Sequence, residues 1–218
     1  PLYSSAASDV YKRQHQALTW SYESGVHHLR THCDWWEPKV QPIAWQVLKE
    51  LASVWQNKIA IERVSLIPLH LYADAGQAAS LAKQVAASGP GALLGGFVHT
   101  SNWDLQALKN LFAAAQAEGL NVDLHMDEEL NPRAQGLLRA TEIIRDIGFE
   151  GHVVCGHTCA LAAQDSALAL RTLDEVAKLN MSLVTLPLTN LLLQDAVTGK
   201  TPTQRGICLL YTSDAADE

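Results

Sequence analysis

Strand-like and helix-like segments alternate along this chain, and the strands recur at a nearly constant spacing. The residues that end successive strands lie 26 to 37 positions apart, from His99 to His125 at the shortest and from His32 to Leu69 at the longest. One strand, one helix and their turns fill such an interval, and repeated βα units build a parallel sheet. We therefore expect an α/β protein.

Two parallel architectures are compatible with this alternation. A doubly wound open sheet normally carries a glycine-rich phosphate turn after its first strand, whereas Gly95 and Gly96 lie inside a predicted strand. A (β/α)8 barrel needs no such turn and typically takes about 250 residues. The spacing therefore predicts a partial (β/α)8 TIM barrel that is short by roughly two of its βα units.

Apolar patterning predicts the individual elements. The strands are 26–33, 61–70, 93–99, 122–126, 153–157 and 183–188. The helices are 42–56, 77–87, 103–117, 133–147 and 160–179, and the first has its apolar residues on one face of a 3.6-residue period. Gly89, Gly119 and Gly148 stand where three of these helices should end.

The acidic balance of the chain narrows its possible partners. There are 16 Lys and Arg against 23 Asp and Glu, a net charge of −7, and binding to nucleic acid or to a membrane surface would need a basic face. No apolar run is long enough to span a membrane. Four cysteines in 218 residues are too few for a disulfide scaffold. We expect a cytoplasmic protein that binds neither nucleic acid nor membrane.

The two ends of the chain differ from its middle. Codons that encode residues 4–14, SSAASDVYKRQ, have a reverse complement that translates as residues 208–218, CLLYTSDAADE. Unrelated peptides have no physical reason to show this relation, whereas an adapter ligated to both ends of a DNA fragment produces it. We predict that residues 1–14 and 208–218 are non-native adapter-derived tails and that residues 15–207 form an incomplete barrel domain.

Histidines stand at the ends of four predicted strands, as His70, His99, His125 and His157. A barrel of this kind builds its active site at the carboxyl-terminal ends of its strands, so these side chains should converge. One strand-end histidine is usually structural, but several on one face favour a metal or acid–base centre. His32 is expected instead in a buried strand network.

The segment His125-Met126-Asp127-Glu128 is the sharpest chemical signal. Alternation puts His125 and Asp127 on one side of the strand, and a turn near Asp127 can bring Glu128 over the pocket. A histidine that binds a divalent cation and a nearby glutamate that moves protons are a common hydrolytic pair. The alternative is that Asp127, Glu128 and Glu129 form the acidic first turn of the next helix.

His157 lies between two cysteines in Cys155-Gly156-His157-Thr158-Cys159. This spacing could suggest zinc, but Cys159 already begins the next helix and there is no second cysteine pair to complete a structural site. We expect both thiols to be small, inert core residues. His157 then stands alone as a strand-end imidazole.

Several tryptophans could stack on a ring-shaped substrate. Packing between helices or between copies of the chain is the commoner role of such side chains. The sequence therefore allows a homo-oligomer in which such tryptophans pack between copies of the chain. The tryptophans concerned are Trp35, Trp36, Trp45, Trp55 and Trp103.

Together, four segments resemble the cytosine deaminase branch of the metal-dependent amidohydrolase superfamily. They are GVHHLRTHCD, VDLHMDEE, VVCGHTCAL and LPLTNLLLQD with TPTQRGI, in the family's order and spacing. The resemblance implies strands 2 to 7 of a metal-dependent hydrolase barrel that holds one divalent metal, zinc or iron. It implies His125 as a metal ligand, Glu128 as the proton shuttle, and His157 as a contact of the activated water or the substrate.

The chain departs from the family pattern in two respects. The family's His-x-His pair on strand 1 and its aspartate on strand 8 are not in the sequence, so the remaining ligands would lie outside it. Ile67-Pro68-Leu69 replaces a Phe-Pro-Gln whose amide reads the pyrimidine edge in cytosine deaminases. Leu69 cannot make those hydrogen bonds, which counts against cytosine and leaves other cyclic amidines, amino-triazines and lactams open. We expect Leu69 and His70 to border the substrate.

Two functional hypotheses follow from these features. The first is that the parent protein hydrolyses a C–N bond of a small heterocycle with a metal-activated water, and that the fragment alone is inactive. The second is a barrel that has lost its metal and acts as a binding or assembly subunit. The residues on the missing strands 1 and 8 would distinguish the two.

Overall fold

The computed structural model describes residues 5–186, together with 189, 198 and 199. The strands are β1 (His28–Asp34), β2 (Ala60–Pro68), β3 (Ala92–Val98), β4 (Val122–Met126), β5 (Val153–His157) and β6 (Met181–Val184). The helices are α1 (Ser5–Glu23), α2 (Ile43–Trp55), α3 (Ala75–Ala86), α4 (Leu105–Ala117), α5 (Gly136–Ile147) and α6 (Ser166–Ala177). Within the described range, no helix combines the length and the apolar character needed to cross a lipid bilayer.

The six strands are parallel and lie side by side in chain order. In a flat sheet, β1 and β4 would be about 14 Å apart. His32 Nε2 on β1 nevertheless lies 3.0 Å from Asp123 Oδ1 on β4. The sheet is therefore curled into part of a barrel, and the predicted fold class is confirmed.

The apolar core lies between the sheet and the helices. Leu94, Leu124 and Cys155 point from the strands toward the helices and are fully buried there. The side chains that alternate with them point to the opposite, concave side, which we call the lumen face. Its charged and polar members include Arg30, His32, Glu62, Asp123 and His125.

Helix α1 is not among the predicted helices, because about half of it lies within the predicted tail, residues 1–14. The helix runs across position 14 without a break. Its residue Leu18 is buried in a small second cluster with Val47, Leu51 and Trp55 of α2. Residues 208–218 lie outside the described range, and the division of the chain into tails and barrel domain stays a prediction.

Side-chain and backbone caps explain where the helices begin and end. Helix α6 begins at Ser166 rather than at 160, because the Asp165 side chain accepts the backbone N–H groups at its first turn. A short 3-10 helix, Cys159–Ala163, fills the interval after β5. Gly148 ends α5 in the left-handed conformation, as predicted. Strand β6 lies slightly earlier than the predicted strand 183–188, whose last residues, 187 and 188, are outside the described range.

Gly95 marks a close approach between strands. A Cβ at this position would lie 2.5 Å from Val64 Cγ1 and 2.6 Å from the carbonyl oxygen of Ser65. The Gly95 carbonyl also accepts a hydrogen bond of 2.7 Å from the buried Tyr72 hydroxyl. Both Gly95 and Gly96 lie within β3, as the sequence predicts, so they form no phosphate-binding turn.

We predict that Gly95→Ala lowers the free energy of unfolding of the full-length protein by about 1–3 kcal/mol, because the added methyl group overpacks a space bounded by backbone. Gly156→Ala is a matched control on another strand, since the nearest atom to its Cβ would be the Leu124 carbonyl oxygen at 3.7 Å. Denaturant titration of both variants measures the difference. An unchanged unfolding midpoint for Gly95→Ala would contradict this packing.

Candidate metal centre

Three of the predicted site residues meet at one point. A nitrogen of His125, a nitrogen of His157 and a carboxylate oxygen of Glu128 all lie within 4.8 Å of one another. His125 and His157 belong to the neighbouring strands β4 and β5, and Glu128 follows β4 by two residues. Among the residues that the structure describes, no other group of three metal-ligating side chains comes together in this way.

Backbone conformation brings His157 to this point. Cys155, two residues earlier on β5, is buried in the core, so regular alternation would turn His157 toward the helices as well. His157 and Thr158 instead adopt left-handed φ values of 70° and 47°, which are uncommon for residues other than glycine. As a result His157 Nδ1 lies 3.2 Å from Glu128 Oε1, and its ring centroid lies 4.8 Å from that of His125.

The three consecutive carboxylates after His125 have different roles. Asp127, at a φ of 50°, accepts the backbone N–H groups of Gly136 and Leu137 at 3.2 and 3.0 Å. Burial raises the pKa of its carboxyl to about 6. The Glu129 carboxylate accepts hydrogen bonds from the backbone N–H and the hydroxyl group of Thr100, which lies just after β3. None of the three lies in the first turn of α5, which begins at Gly136, so that alternative is wrong; Asp127 caps this helix from the preceding loop, whereas Glu128 faces His157.

Asp123 links strands below this cluster on the lumen face. Its carboxylate lies 2.9 Å from Arg30 Nη1 and 3.0 Å from His32 Nε2, and its side chain is 4% exposed. Burial by itself would raise the pKa of Asp123, but the hydrogen bonds and charges of His32 and Arg30 outweigh it and lower that pKa. The predicted strand network of His32 is present, but His32 itself is exposed and not buried. Sequence reasoning missed Asp123, whose signal is an aspartate within a buried strand, two residues before His125.

The donor set fits a divalent cation. Burial, together with the charges of His32 and His157, lowers the pKa of His125 to about 4, so its imidazole is neutral near pH 7 and able to coordinate a metal. Nitrogen and carboxylate ligands suit zinc and iron. Two ligands of one zinc ion lie no more than about 4.4 Å apart, and the three donor atoms here lie within 4.8 Å of one another.

A cavity of about 480 Å³ opens beside His125. Trp36, Phe97 and His70 contribute to its walls, and the Trp36 side chain is 66% exposed. Leu69, in contrast, is fully buried in the apolar core and does not line this cavity. The structure thus separates the two residues expected to border the substrate, and only His70 faces the cavity.

The other chemically interesting residues have structural positions. His99 caps the short helix Thr100–Asn102 by accepting the Ser101 N–H. It is not a member of the three-residue cluster. Cys33, Cys155 and Cys159 are buried and form no disulfide among the described residues, as predicted for Cys155 and Cys159. Burial raises the pKa of the Cys33 thiol to about 11, which keeps it protonated and unreactive near neutral pH.

The tryptophans fall into two groups. Trp35 and Trp45 are fully buried and pack against each other with ring centroids 5.5 Å apart, and Trp55 is nearly buried. Trp36 and Trp103 are exposed. The packing role is therefore observed for the first group, while Trp36 lines the cavity beside His125.

Known proteins of similar sequence and fold share this arrangement of strands. A pterin deaminase from Rhizobium rhizogenes strain K84 is 40% identical to the chain over 212 residues. A 5-methylcytosine deaminase from Klebsiella pneumoniae, solved with 5-fluorocytosine, superposes with a TM-score of 0.77 at 21% identity. An N-isopropylammelide isopropylaminohydrolase from Burkholderia multivorans superposes with a TM-score of 0.62 at 19% identity. These matches indicate the metal-dependent amidohydrolase superfamily. No protein-family model matches it.

Within the superfamily, the resemblance to the cytosine deaminase-like branch is confirmed. The matches cover 97%, 96% and 84% of this chain but only 48%, 50% and 50% of the pterin deaminase, the 5-methylcytosine deaminase and the isopropylaminohydrolase. The chain therefore spans about half the length of these relatives. The roles of His125, Glu128, His157, Leu69 and His70 stay predictions.

We predict that Asp127→Ala lowers the free energy of unfolding of the full-length protein by about 1–2 kcal/mol, because two buried N–H groups of α5 lose their acceptor. Asp127→Asn is the matched control, since asparagine keeps one acceptor oxygen and tolerates the left-handed conformation. It should lose less stability than Asp127→Ala, because one of the two N–H groups keeps its acceptor. Thermal unfolding compares the variants, and equal losses in both would argue against the capping role.

Proposed function

We propose that the full-length protein is a hydrolase that removes the exocyclic amino group of a small heterocycle and releases ammonia. The observation that carries the proposal is the cluster of His125, Glu128 and His157 beside a cavity with aromatic walls. The 40% identity to a pterin deaminase supports a bicyclic pterin as the first substrate to test. Cyclic amidines and amino-triazines are the next classes.

One divalent ion, zinc or iron, is part of this proposal. His125 would hold the ion, with His157 and Glu128 close enough to bind it or its ligands. When bound, such an ion supplies a water molecule whose pKa is lowered toward neutrality. The superfamily resemblance implies further ligands on strands outside this chain.

Glu128 is the group that moves protons in the proposed reaction. Its carboxylate takes a proton from the attacking water and delivers it to the ring nitrogen, then takes the second proton from the newly formed hydroxyl group and delivers it to the leaving amine. The water oxygen bonds to the ring carbon, the carbon–nitrogen bond breaks, and ammonia departs. His157, 3.2 Å from Glu128, steadies the carboxylate and the charge that develops on the attacking oxygen.

The cavity walls orient the heterocycle in this proposal. Trp36 and Phe97 offer aromatic surfaces, and flat rings stack favourably on such side chains. His70 adds a polar group at the same wall. The cytoplasmic location, a homo-oligomer and the absence of a nucleic-acid partner stay predictions.

We predict that Glu128→Gln in the full-length protein lowers kcat for ammonia release by about 10²–10⁴-fold, because the amide cannot carry the proton. Ammonia is measured over a panel of pterins, amino-pyrimidines and amino-triazines. Glu150→Gln, at an exposed glutamate after α5, is the control and should keep wild-type turnover. Undiminished turnover in Glu128→Gln would remove Glu128 from this role.

Trp36→Leu should raise KM by about 2–10-fold with a smaller effect on kcat, because the substrate ring loses a stacking surface while the proton-transfer groups remain. Trp20→Leu is matched in exposure, 63% against 66% for Trp36, but lies on α1 away from the cavity. Steady-state kinetics with the best substrate of the panel compares them. Equal KM values would place the ring elsewhere.

A further inference from the structure

Asp123 joins two strands that are not neighbours in the sheet. Its carboxylate binds Arg30 and His32 of β1, while Asp123 itself belongs to β4. Arg30 also lies 2.8 Å from Glu62 of β2. These four side chains therefore form one ionic network across the lumen face.

His32 lies between this network and the candidate metal centre. Its Nε2 lies 3.0 Å from Asp123, and its ring meets the His125 ring edge to face, with centroids 4.6 Å apart and planes at 64°. The His125 ring meets the His157 ring in the same edge-to-face arrangement, with centroids 4.8 Å apart and planes at 64°. The His125 ring is thus packed between two imidazoles, one of which is anchored on a buried carboxylate.

The plane of a metal-binding imidazole depends on what surrounds it. Groups that touch the ligands without binding the metal fix the orientation of those ligands, and their loss weakens metal binding. Asp123 and His125 are two residues apart on the same strand and face. The His32 side chain of β1 therefore contacts both of them. Through His32, the position of β1 therefore affects the orientation of the His125 ring.

We propose that His32, anchored on Asp123, is a positioning residue that holds the His125 imidazole in the orientation needed for metal binding. This proposal rests on the metal centre of the proposed function, but it concerns metal affinity and not turnover. Arg30 supports the arrangement by sharing the Asp123 carboxylate.

The test uses the full-length protein and measures zinc affinity by competition with a chelator. We expect His32→Ala to weaken zinc binding by about 10–100-fold and to change the visible absorption spectrum of the cobalt-substituted protein. His28→Ala is the matched control, because His28 is on the same strand and face but contacts Glu62 at 3.2 Å. It should leave both readouts unchanged.

His32→Gln separates positioning from a purely structural role. Glutamine keeps a donor for Asp123, so the link between β1 and β4 and the melting temperature should be retained, while the ring that packs on His125 is lost. We expect weakened zinc binding and an altered cobalt spectrum in this variant too. Wild-type affinity and spectrum in His32→Gln would overturn the proposal, and this variant decides the matter if His32→Ala does not fold.

The outcomes for this inference and for the proposed function are distinguishable. Weakened zinc binding in the His32 variants, with no turnover of any heterocycle by the wild type, would keep the inference and remove the deaminase function. Wild-type zinc affinity in His32→Gln, together with normal heterocycle turnover by the wild-type protein, would remove the inference and keep the deaminase function. A full-length protein that binds neither zinc nor iron would overturn both.

Discussion

A buried carboxylate on the lumen face connects the distant parts of this half-barrel. Asp123 is 4% exposed, and an ionised group at such a depth is unfavourable unless it is paired. Its partners, Arg30 and His32, come from a strand that would be about 14 Å away in a flat sheet. The pairing and the curl of the sheet therefore depend on each other. The same curl brings His32 against His125, so the candidate metal centre is built on the network that satisfies Asp123.

Local backbone strain at the strand ends completes the site. Asp127, His157 and Thr158 all have positive φ, a conformation that is unfavourable for such residues and concentrates where function requires it. Neighbouring groups stabilise it. The Asp127 carboxylate caps α5, and the Thr158 N–H donates to the Met126 carbonyl at 2.9 Å. The position of the donor atoms thus depends on how the loops after β4 and β5 are held.

Sequence patterns predicted the strands nearest the site well and some side-chain placements poorly. Strands 122–126 and 153–157 were predicted to the residue, because the first alternates apolar and polar residues and the second is a short, mostly apolar run that ends in a polar residue. Regular alternation from the buried Cys155 would turn His157 toward the helices, and the left-handed conformation at the strand end brings it to Glu128 instead. Leu69 was expected at the substrate, yet it is buried in the core. The turn Leu69–Tyr72 determines which side chain faces the cavity, and periodicity carries no information about such a turn.

By itself the sequence determined the parallel βα order, the strand-end placement of His125 and Glu128, and the resemblance to metal-dependent amidohydrolases, because each of these depends on residue type and spacing along the chain. Only the tertiary structure decided that His157 turns toward Glu128, that Asp127 caps a helix, and that Asp123 binds residues more than 90 positions away. These features depend on the curl of the sheet and on a few backbone dihedral angles. Contacts between distant strands and left-handed turns have no periodic signature in the sequence, so they emerge only when the chain is folded.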